Sequence, residues 1–275
     1  MLETMTFYNH LGEAIEFGKN GIFANYNELR DFKWNYTERN SRIVSFSHDP
    51  AERKLPVIII CNEKEEGIRK MNRLTEVMEK DIFAVTPGKM VINGYYMPCY
   101  ITGSEKDNYL YFKGHMTAEL TVTTDNPYWF RESLIRFGVG ESVSAGSDLD
   151  YPHDFPYDFH SGSEFQGTVT NPGYVDSDFI MTIYGVCENP AILINSVLYQ
   201  VNTVLNAGEK LVINSVDKKI YKILYDGTEV NIFNARNRES YIFTKIQPGR
   251  NVVIWDGSFT FDVTITEKRS EPKWI

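Results

Sequence analysis

The stretch FTFDVTIT, residues 259–266, alternates apolar and polar side chains at every position. Successive side chains of a β-strand point to opposite faces of a sheet. One face of this segment would therefore carry Phe259, Phe261, Val263 and Ile265, and the other Thr260, Asp262, Thr264 and Thr266. The pattern predicts a strand with one face on a hydrophobic core.

Most of the chain gives the same kind of signal. Segments rich in Val, Ile, Thr and aromatic residues are separated by Gly, Asn, Asp or Pro, as is typical of strands joined by turns. The remaining predicted strands are TMTFYN, RIVSFSH, PVIIICN, KMVINGYYMPCYIT, YLYFKGHMTAELTVTT, DFIMTIYGV, AILINSVLYQVNTVL, EKLVINS, KIYKILY, YIFTKI and NVVIW. We therefore expect a mainly β protein.

One segment, EKEEGIRKMNRLTEVMEKD at residues 63–81, has helical periodicity instead. Acidic residues begin it and Lys80 lies near its end, an order that the helix dipole favours. Gly67 weakens the first turn slightly. The segment predicts one amphipathic helix that lies on a sheet through a stripe formed by Ile68, Met71, Leu74 and Met78.

Length and charge limit the class of protein. The chain has 275 residues, 42% of them hydrophobic and 24% charged, which suits two domains of about 130 residues each. The net charge is −9 and no basic stripe occurs, so sequence-specific nucleic acid binding is not expected. The longest apolar run, VIIIC at residues 57–61, is far shorter than the roughly 18 residues of a membrane span. The N-terminus shows no secretion signal.

Motifs for catalysis or cofactor binding are missing from the sequence. The cysteines Cys61, Cys99 and Cys187 are far apart and odd in number, which favours buried free thiols over a disulfide framework or a zinc site. Neither a phosphate-binding loop nor a G-x-S-x-G nucleophile elbow occurs. We therefore expect no enzyme, no cofactor and no catalytic residues, although a pair of distant glycosidase carboxylates would leave no local pattern.

A change in composition near residue 130 predicts a domain boundary. Residues 131–150, RESLIRFGVGESVSAGSDLD, are rich in Gly and Ser. We expect an N-terminal α+β domain over residues 1–130, a linker over 131–162 and an all-β domain over 163–275.

The segment YPHDFPYDFH, residues 151–160, lies in the predicted linker and allows three interpretations. Its acids and histidines could bind a metal, but an extended backbone set by its two prolines would point the two histidines in opposite directions. Its rings could stack on a sugar. The favoured interpretation is a stiff connector whose rings anchor it to a neighbouring surface, with no metal bound. The potential metal ligands are His153, Asp154, Asp158 and His160.

Two of the four tryptophans attract functional hypotheses. Trp34 and Trp129 read as core or rim residues. Trp255, at the end of a predicted strand, is a candidate carbohydrate contact, although a core ring is the more common role. Trp274 lies next to the last residue, and a terminal aromatic side chain predicts that the C-terminus docks onto something.

The order of several motifs resembles the distal tail protein family of siphophages, also called the siphovirus tail component or phage tail family. The connector resembles the F/Y-P-x-x-F-P segment of that family. The other segments that carry the resemblance are TFYNHLGEAIEF, PVIIIC with the helix after it, PGKMVINGYYMPCYITGSE, AELTVTTDNPYWF, VTNPGYVDSDFIMTIYGVCENPAILI, NAGEKLVINS, IQPGRNVV and EKRSEPKWI. No single one of these motifs is diagnostic, but their order spans nearly the whole chain.

The resemblance implies a structural hub at the tip of a phage tail, in a virion assembled in the host cytoplasm. Six N-terminal domains would form a ring that continues the tail tube, and a galectin-like β-sandwich would follow each of them. The implied partners are the major tail protein, a tail-associated lysin or tail fibre protein and the tape measure protein, with a receptor-binding protein or cell-wall saccharide as further candidates. Two alternatives remain: a carbohydrate-binding module that uses Trp255, and a cell-wall glycosidase. Hairpins such as Tyr95–Ile101 with Tyr109–Thr123 could offer strand edges between subunits.

Overall fold

The computed structural model describes residues 5–24, 27–108, 114–139 and 165–274, and these group into two compact units. The first unit contains Met1–Arg131 together with Lys268–Ile275, and the second contains Glu132–Glu267. The expected mainly β fold with one helix is confirmed over the described residues. The connector at residues 151–160 and its four potential metal ligands lie outside them.

In its described residues, the first unit contains one α-helix, strands β1 to β9 and the start of β10. Its elements are β1 (Met5–Tyr8), β2 (Ala14–Phe17), β3 (Ile22–Ala24), β4 (Asn35–Arg39), β5 (Arg42–Ser47), β6 (Ala51–Ile60), α1 (Lys64–Ala84), β7 (Gly88–Ile92), β8 (Tyr95–Asn108), β9 (His115–Thr124) and the start of β10 (Trp129–Phe137). Antiparallel pairing gives the order β2-β1-β7-β8-β9-β6-β3, while β4 and β5 pair only with each other in the described part.

Helix α1 packs on β2, β6 and β8 and covers the core of the first unit. It continues three residues beyond the predicted end at residue 81, and its buried face includes Leu74, Val77 and Met78. Ile68, predicted to lie on the apolar stripe, is exposed instead. Gly67 is buried, and a Cβ there would come within 2.9 Å of the Cys61 sulfur, so glycine at this position allows the first turn to pack closely.

The second unit is a β-sandwich. It begins within β10 and continues through β11 (Phe165–Asn171), β12 (Phe179–Tyr184), β13 (Cys187–Glu188), β14 (Ala191–Ile194), β15 (Val197–Gln200), β16 (Val204–Leu205), β17 (Lys210–Asn214), β18 (Lys219–Ile223), β19 (Glu229–Asn231), β20 (Gly249–Trp255) and β21 (Thr260–Arg269). One sheet has the order β19-β18-β17-β12-β21 and the other β11-β20-β14-β15. Their inner faces contribute to one hydrophobic core.

Strand β21 follows the predicted alternation, with one exception. Phe259, Phe261, Val263 and Ile265 are all buried in this core. Asp262, predicted for the polar face, is buried as well. It accepts two hydrogen bonds from Arg136 at 2.8 and 3.0 Å and one from the Tyr184 hydroxyl at 2.8 Å. These bonds, above all those from Arg136, hold the pKa of the Asp262 carboxyl below its ordinary value.

The chain passes between the units at different residues from those expected. Residues 131–137 belong to β10 rather than to a linker, and Phe137 is buried against Trp255 and Phe261. At the other end, residues 268–274 group with the first unit rather than with the β-sandwich. The physical reason is a set of contacts with the N-terminal part of the chain, among them the hydrogen bond from Arg30 to the Pro272 carbonyl at 2.6 Å.

Candidate interaction surfaces

The hairpin of β4 and β5, residues 35–47, is exposed along nearly its whole length. Every residue of β5 is exposed, and only Asn35 of β4 is partly covered. Tyr36 and Phe46 are paired directly across the two strands and are 61% and 60% exposed. Ser45 and Ser47 pair with polar residues on the opposite face. We call this segment the exposed hairpin.

The turn of the exposed hairpin is defined by its backbone. Asn40 and Ser41 have φ values of 52° and 57°, the arrangement that connects two strands most tightly. Arg39 and Arg42 are the directly opposed pair beside this turn. Like charges opposite each other on a hairpin destabilise it, so the isolated hairpin tip carries an unfavourable contact.

An aromatic cluster supports the base of the exposed hairpin. The Trp34 ring lies 4.0 Å from the His48 ring and 6.0 Å from the Tyr128 ring, measured between centroids. The Lys268 ammonium lies 3.5 Å from the centre of the Tyr128 ring. Burial lowers the pKa of His48 below its ordinary value, which favours an uncharged imidazole at neutral pH. The hairpin therefore extends from a packed base.

The end of helix α1 is a second exposed apolar surface of the first unit. Phe83 is 82% exposed and Val85 is 81% exposed. Glu76 and Glu79 precede Phe83 at helical spacing, and all three lie on an exposed face of α1. The last turn contains no basic residue to balance the negative end of the helix dipole. We call Glu76, Glu79, Phe83 and Val85 the helix-end patch.

Val85 occupies a position that normally favours glycine. The backbone N–H of Val85 donates to the Ile82 carbonyl and that of Thr86 to the Asp81 carbonyl, which together form a Schellman motif. Val85 has φ 51° and ψ 37°, in the left-handed region. A side chain at Cβ costs about 1–2 kcal/mol in this conformation. An exposed valine is therefore retained here at a cost to the isolated chain.

Asp81 connects the end of α1 with the turn between β1 and β2. Its Oδ1 accepts a hydrogen bond from the His10 backbone N–H at 2.8 Å and lies 2.6 Å from His10 Nδ1. Asp81 is fully buried, and its Oδ2 has no hydrogen-bond partner among the described residues. Leu11, the next residue after His10, is 63% exposed. The contact therefore fixes the turn between β1 and β2 to the end of α1.

Trp255, the candidate carbohydrate contact, is a core residue. It is 2% exposed and packs against Phe137, Phe165 and Phe261. A sugar ring needs an open aromatic face on which to stack, and Trp255 presents none in this fold. The prediction that Trp255 contacts a sugar is therefore wrong for this fold, because Trp255 is a core residue.

The other tryptophans occupy three environments. Trp129 is fully buried in the first unit and Trp34 is half-exposed at the base of the exposed hairpin. Trp274 is 71% exposed, with the guanidinium of Arg30 lying 3.9 Å from the centre of its ring. The Asn93 side chain also donates to the Lys273 carbonyl at 3.1 Å. The C-terminal segment therefore docks on its own chain, within the first unit.

In the described part of the segment Tyr109–Thr123, the predicted free strand edge is not available. Strand β9 pairs with β6 along one edge and with β8 along the other.

The three cysteine thiols are buried, and burial raises the pKa of Cys99 to about 12 and that of Cys187 to about 11. No cluster of metal-ligating side chains occurs among the described residues. Within the same residues, no helix is both long and apolar enough to cross a membrane.

The fold of the two units is similar to those of phage tail hub and baseplate proteins. The crystal structure of the SPP1 Dit protein, described as a paradigm of hub adsorption apparatus in phages that infect Gram-positive bacteria, matches with TM-score 0.60 and 10% identity, over 98% of this chain and 100% of that chain. Structures of the phage P2 baseplate in its activated conformation, with Ca and with Sr, match with TM-score 0.56 and 13% identity, over 99% of this chain and 100% of the matched chain. No family model and no curated protein sequence matches. The fold expected from the resemblance is confirmed.

Proposed function

We propose that this chain is the structural hub of a siphophage tail tip. In this role a ring of six copies joins the tail tube to the host-adsorption apparatus or baseplate of the virion. The observation that supports the proposal is the match of both units at once to hub and baseplate structures, over at least 98% of this chain and the whole of each matched chain. A carbohydrate-binding role has lost its candidate contact, because Trp255 is buried.

The proposed role is non-enzymatic. Thiols with pKa values of about 12 and 11, at Cys99 and Cys187, carry almost no thiolate at neutral pH and are poor nucleophiles. The proposed partners are the major tail protein on one side and a tail-associated lysin or tail fibre protein on the other, with the tape measure protein in the lumen. A receptor-binding protein is a further proposed partner.

Exposed surfaces of the first unit favour assembly through that unit. Contiguous apolar side chains on a soluble protein mark interaction sites, and the exposed hairpin and the helix-end patch both belong to the first unit. Mass photometry and negative-stain microscopy of the purified chain test the proposal. We expect a species with six times the chain mass and ring-shaped particles. A chain that stays monomeric at every concentration and fails to bind its proposed tail neighbours would overturn it.

A further inference from the structure

We propose that the exposed hairpin of one copy docks on the helix-end patch of the neighbouring copy. This inference rests on the proposed ring and identifies the two surfaces that would form the contact between its subunits. A ring closed by rotation needs a head-to-tail interface, in which two different surfaces of each subunit meet. The first unit presents two such surfaces, one on a hairpin and one on a helix.

Apolar complementarity supports the pairing. Tyr36 and Phe46 lie side by side on one face of the exposed hairpin, with most of their surface open to solvent. Phe83 and Val85 are more than four-fifths exposed at the end of α1. A two-stranded hairpin alone in water is marginally stable, so this one gains order by covering its apolar face. Docking would remove both sets of side chains from water.

Charge complementarity favours this occupant over an arbitrary apolar partner. The tip of the exposed hairpin places Arg39 opposite Arg42, and both are exposed. The helix-end patch contributes Glu76 and Glu79, together with helix carbonyl groups that no basic residue of the last turn balances. The arginine pair would relieve its own repulsion by meeting this negative surface.

Nearby charges of the same chain do not remove this complementarity. Glu38, next to Arg39, leaves the exposed hairpin with a net charge of one positive unit, since it contains two arginines and one acid. Lys80 and Arg73, the basic residues close to the helix-end patch, both pair with Glu13, at 2.7 and 3.1 Å. The negative charge of the patch is therefore not used up within the chain. Both surfaces are exposed in a single copy and are therefore open to a second copy.

A charge exchange tests the contact directly. Arg39→Glu with Arg42→Glu, and separately Glu76→Arg with Glu79→Arg, should each raise the concentration needed for half-assembly by about tenfold or more. The chain that carries all four changes should assemble within about threefold of the natural chain, because the exchanged charges attract again. Circular dichroism establishes that each variant is folded. Assembly is measured by mass photometry across a concentration series.

A matched control reverses two acids in the second unit. Glu229→Arg with Glu239→Arg makes the same change in net charge on exposed side chains and should leave assembly unchanged. The docking proposal is overturned if the variant with Glu76→Arg and Glu79→Arg assembles like the natural chain. It is also overturned if the chain with all four substitutions does not recover assembly. In either case the ring itself would stand. A natural chain that forms no ring with or without its tail neighbours would remove both proposals.

An independent apolar test uses single substitutions. Phe46→Ser and Phe83→Ser should each weaken assembly, because each removes a side chain that docking buries. Tyr225→Ser is the control, since Tyr225 is 83% exposed in the second unit. An equal effect of all three substitutions would contradict the assignment of the two surfaces.

Discussion

Replacing Trp255 by alanine should unfold the second unit readily, whereas replacing it by phenylalanine should cost little. The indole is 2% exposed and surrounded by the rings of Phe137, Phe165 and Phe261. A Cβ on Gly167 would come within 2.5 Å of the Phe137 ring, so the aromatic cluster packs closely against β11. Truncation to alanine therefore leaves a cavity, and buried Trp→Ala changes cost about 3–5 kcal/mol.

The phenylalanine variant behaves differently because of the indole nitrogen. Trp255 Nε1 is buried without a hydrogen-bond partner in the described part of the chain. Its removal regains about 1–3 kcal/mol of desolvation cost. The smaller ring loses about 1–2 kcal/mol of burial and packing. The two terms nearly cancel, so Trp255→Phe should lie within about 1 kcal/mol of the natural chain.

Urea unfolding followed by circular dichroism measures both variants. Trp274→Ala is the matched control, since this ring is 71% exposed and its contact with Arg30 contributes about 0.5–1 kcal/mol. The reasoning fails if Trp255→Ala costs no more than Trp274→Ala. It also fails if Trp255→Ala keeps its full stability and loses binding to cell-wall saccharides, because that outcome would make the ring a contact residue.

Three further changes test local features. Val85→Gly should raise the unfolding free energy of the monomer by about 0.5–1 kcal/mol, because relief of the left-handed strain exceeds the added entropy of the unfolded chain. Val216 is an exposed valine with ordinary φ, so Val216→Gly should lower the unfolding free energy by a similar amount. Asp262→Asn should cost about 1–2 kcal/mol at pH 7. Because the folded-state pKa of Asp262 is lowered, this difference should persist above pH 4 and shrink as the pH falls below about 4; a constant difference would contradict the ion pair with Arg136. Gly88→Ala should cost about 3 kcal/mol in thermal unfolding, because its Cβ would overlap a backbone oxygen and a buried carboxylate, and a neutral effect would refute the close contact.

Side-chain alternation was a reliable guide to strands with one buried face. Residues 259–266 show why, because burial in β21 follows the two-residue period except at Asp262. The exception depends on Arg136 and Tyr184, which are distant in sequence, so the sequence alone does not reveal it. The segment YIFTKI at residues 241–246 was wrongly predicted as a strand. Ile242, Phe243 and Ile246 are buried, but the backbone forms a turn in which the Thr244 N–H donates to the Tyr241 carbonyl.

Two-residue turns divide segments that the strand pattern alone predicts to be continuous. The segment KMVINGYYMPCYIT, predicted to be one strand, forms the hairpin of β7 and β8. Asn93 and Gly94 both have positive φ, the usual signature of a two-residue hairpin turn. Asn195 and Ser196 make the same kind of turn between β14 and β15.

The docking of Trp274 on Arg30 joins residues at opposite ends of the chain, and only the folded structure reveals that partner.

The interaction surfaces were the least predictable part because exposure is a property of the fold. The segment RIVSFS was correctly predicted as a strand, but an apolar strand is ordinarily assigned to a core. The sequence signal was the segment NYTERNSR, residues 35–42, whose Arg39 and Arg42 flank the two-residue turn Asn40–Ser41. The two-residue turn predicts a hairpin. Nothing in the local sequence indicates that the rest of the chain leaves this hairpin uncovered.

Two of the local features that destabilise the isolated chain lie on the two surfaces that we assign to assembly. Val85 adopts a left-handed conformation without being glycine, and Arg39 faces Arg42 across a hairpin. Natural sequences depart from the rules of local stability mainly where function requires it. A monomeric protein would gain stability by losing either feature, since each is exposed and changeable by one substitution. In the proposed contact, the partner surface binds the valine side chain and neutralises the arginines, which accounts for both features.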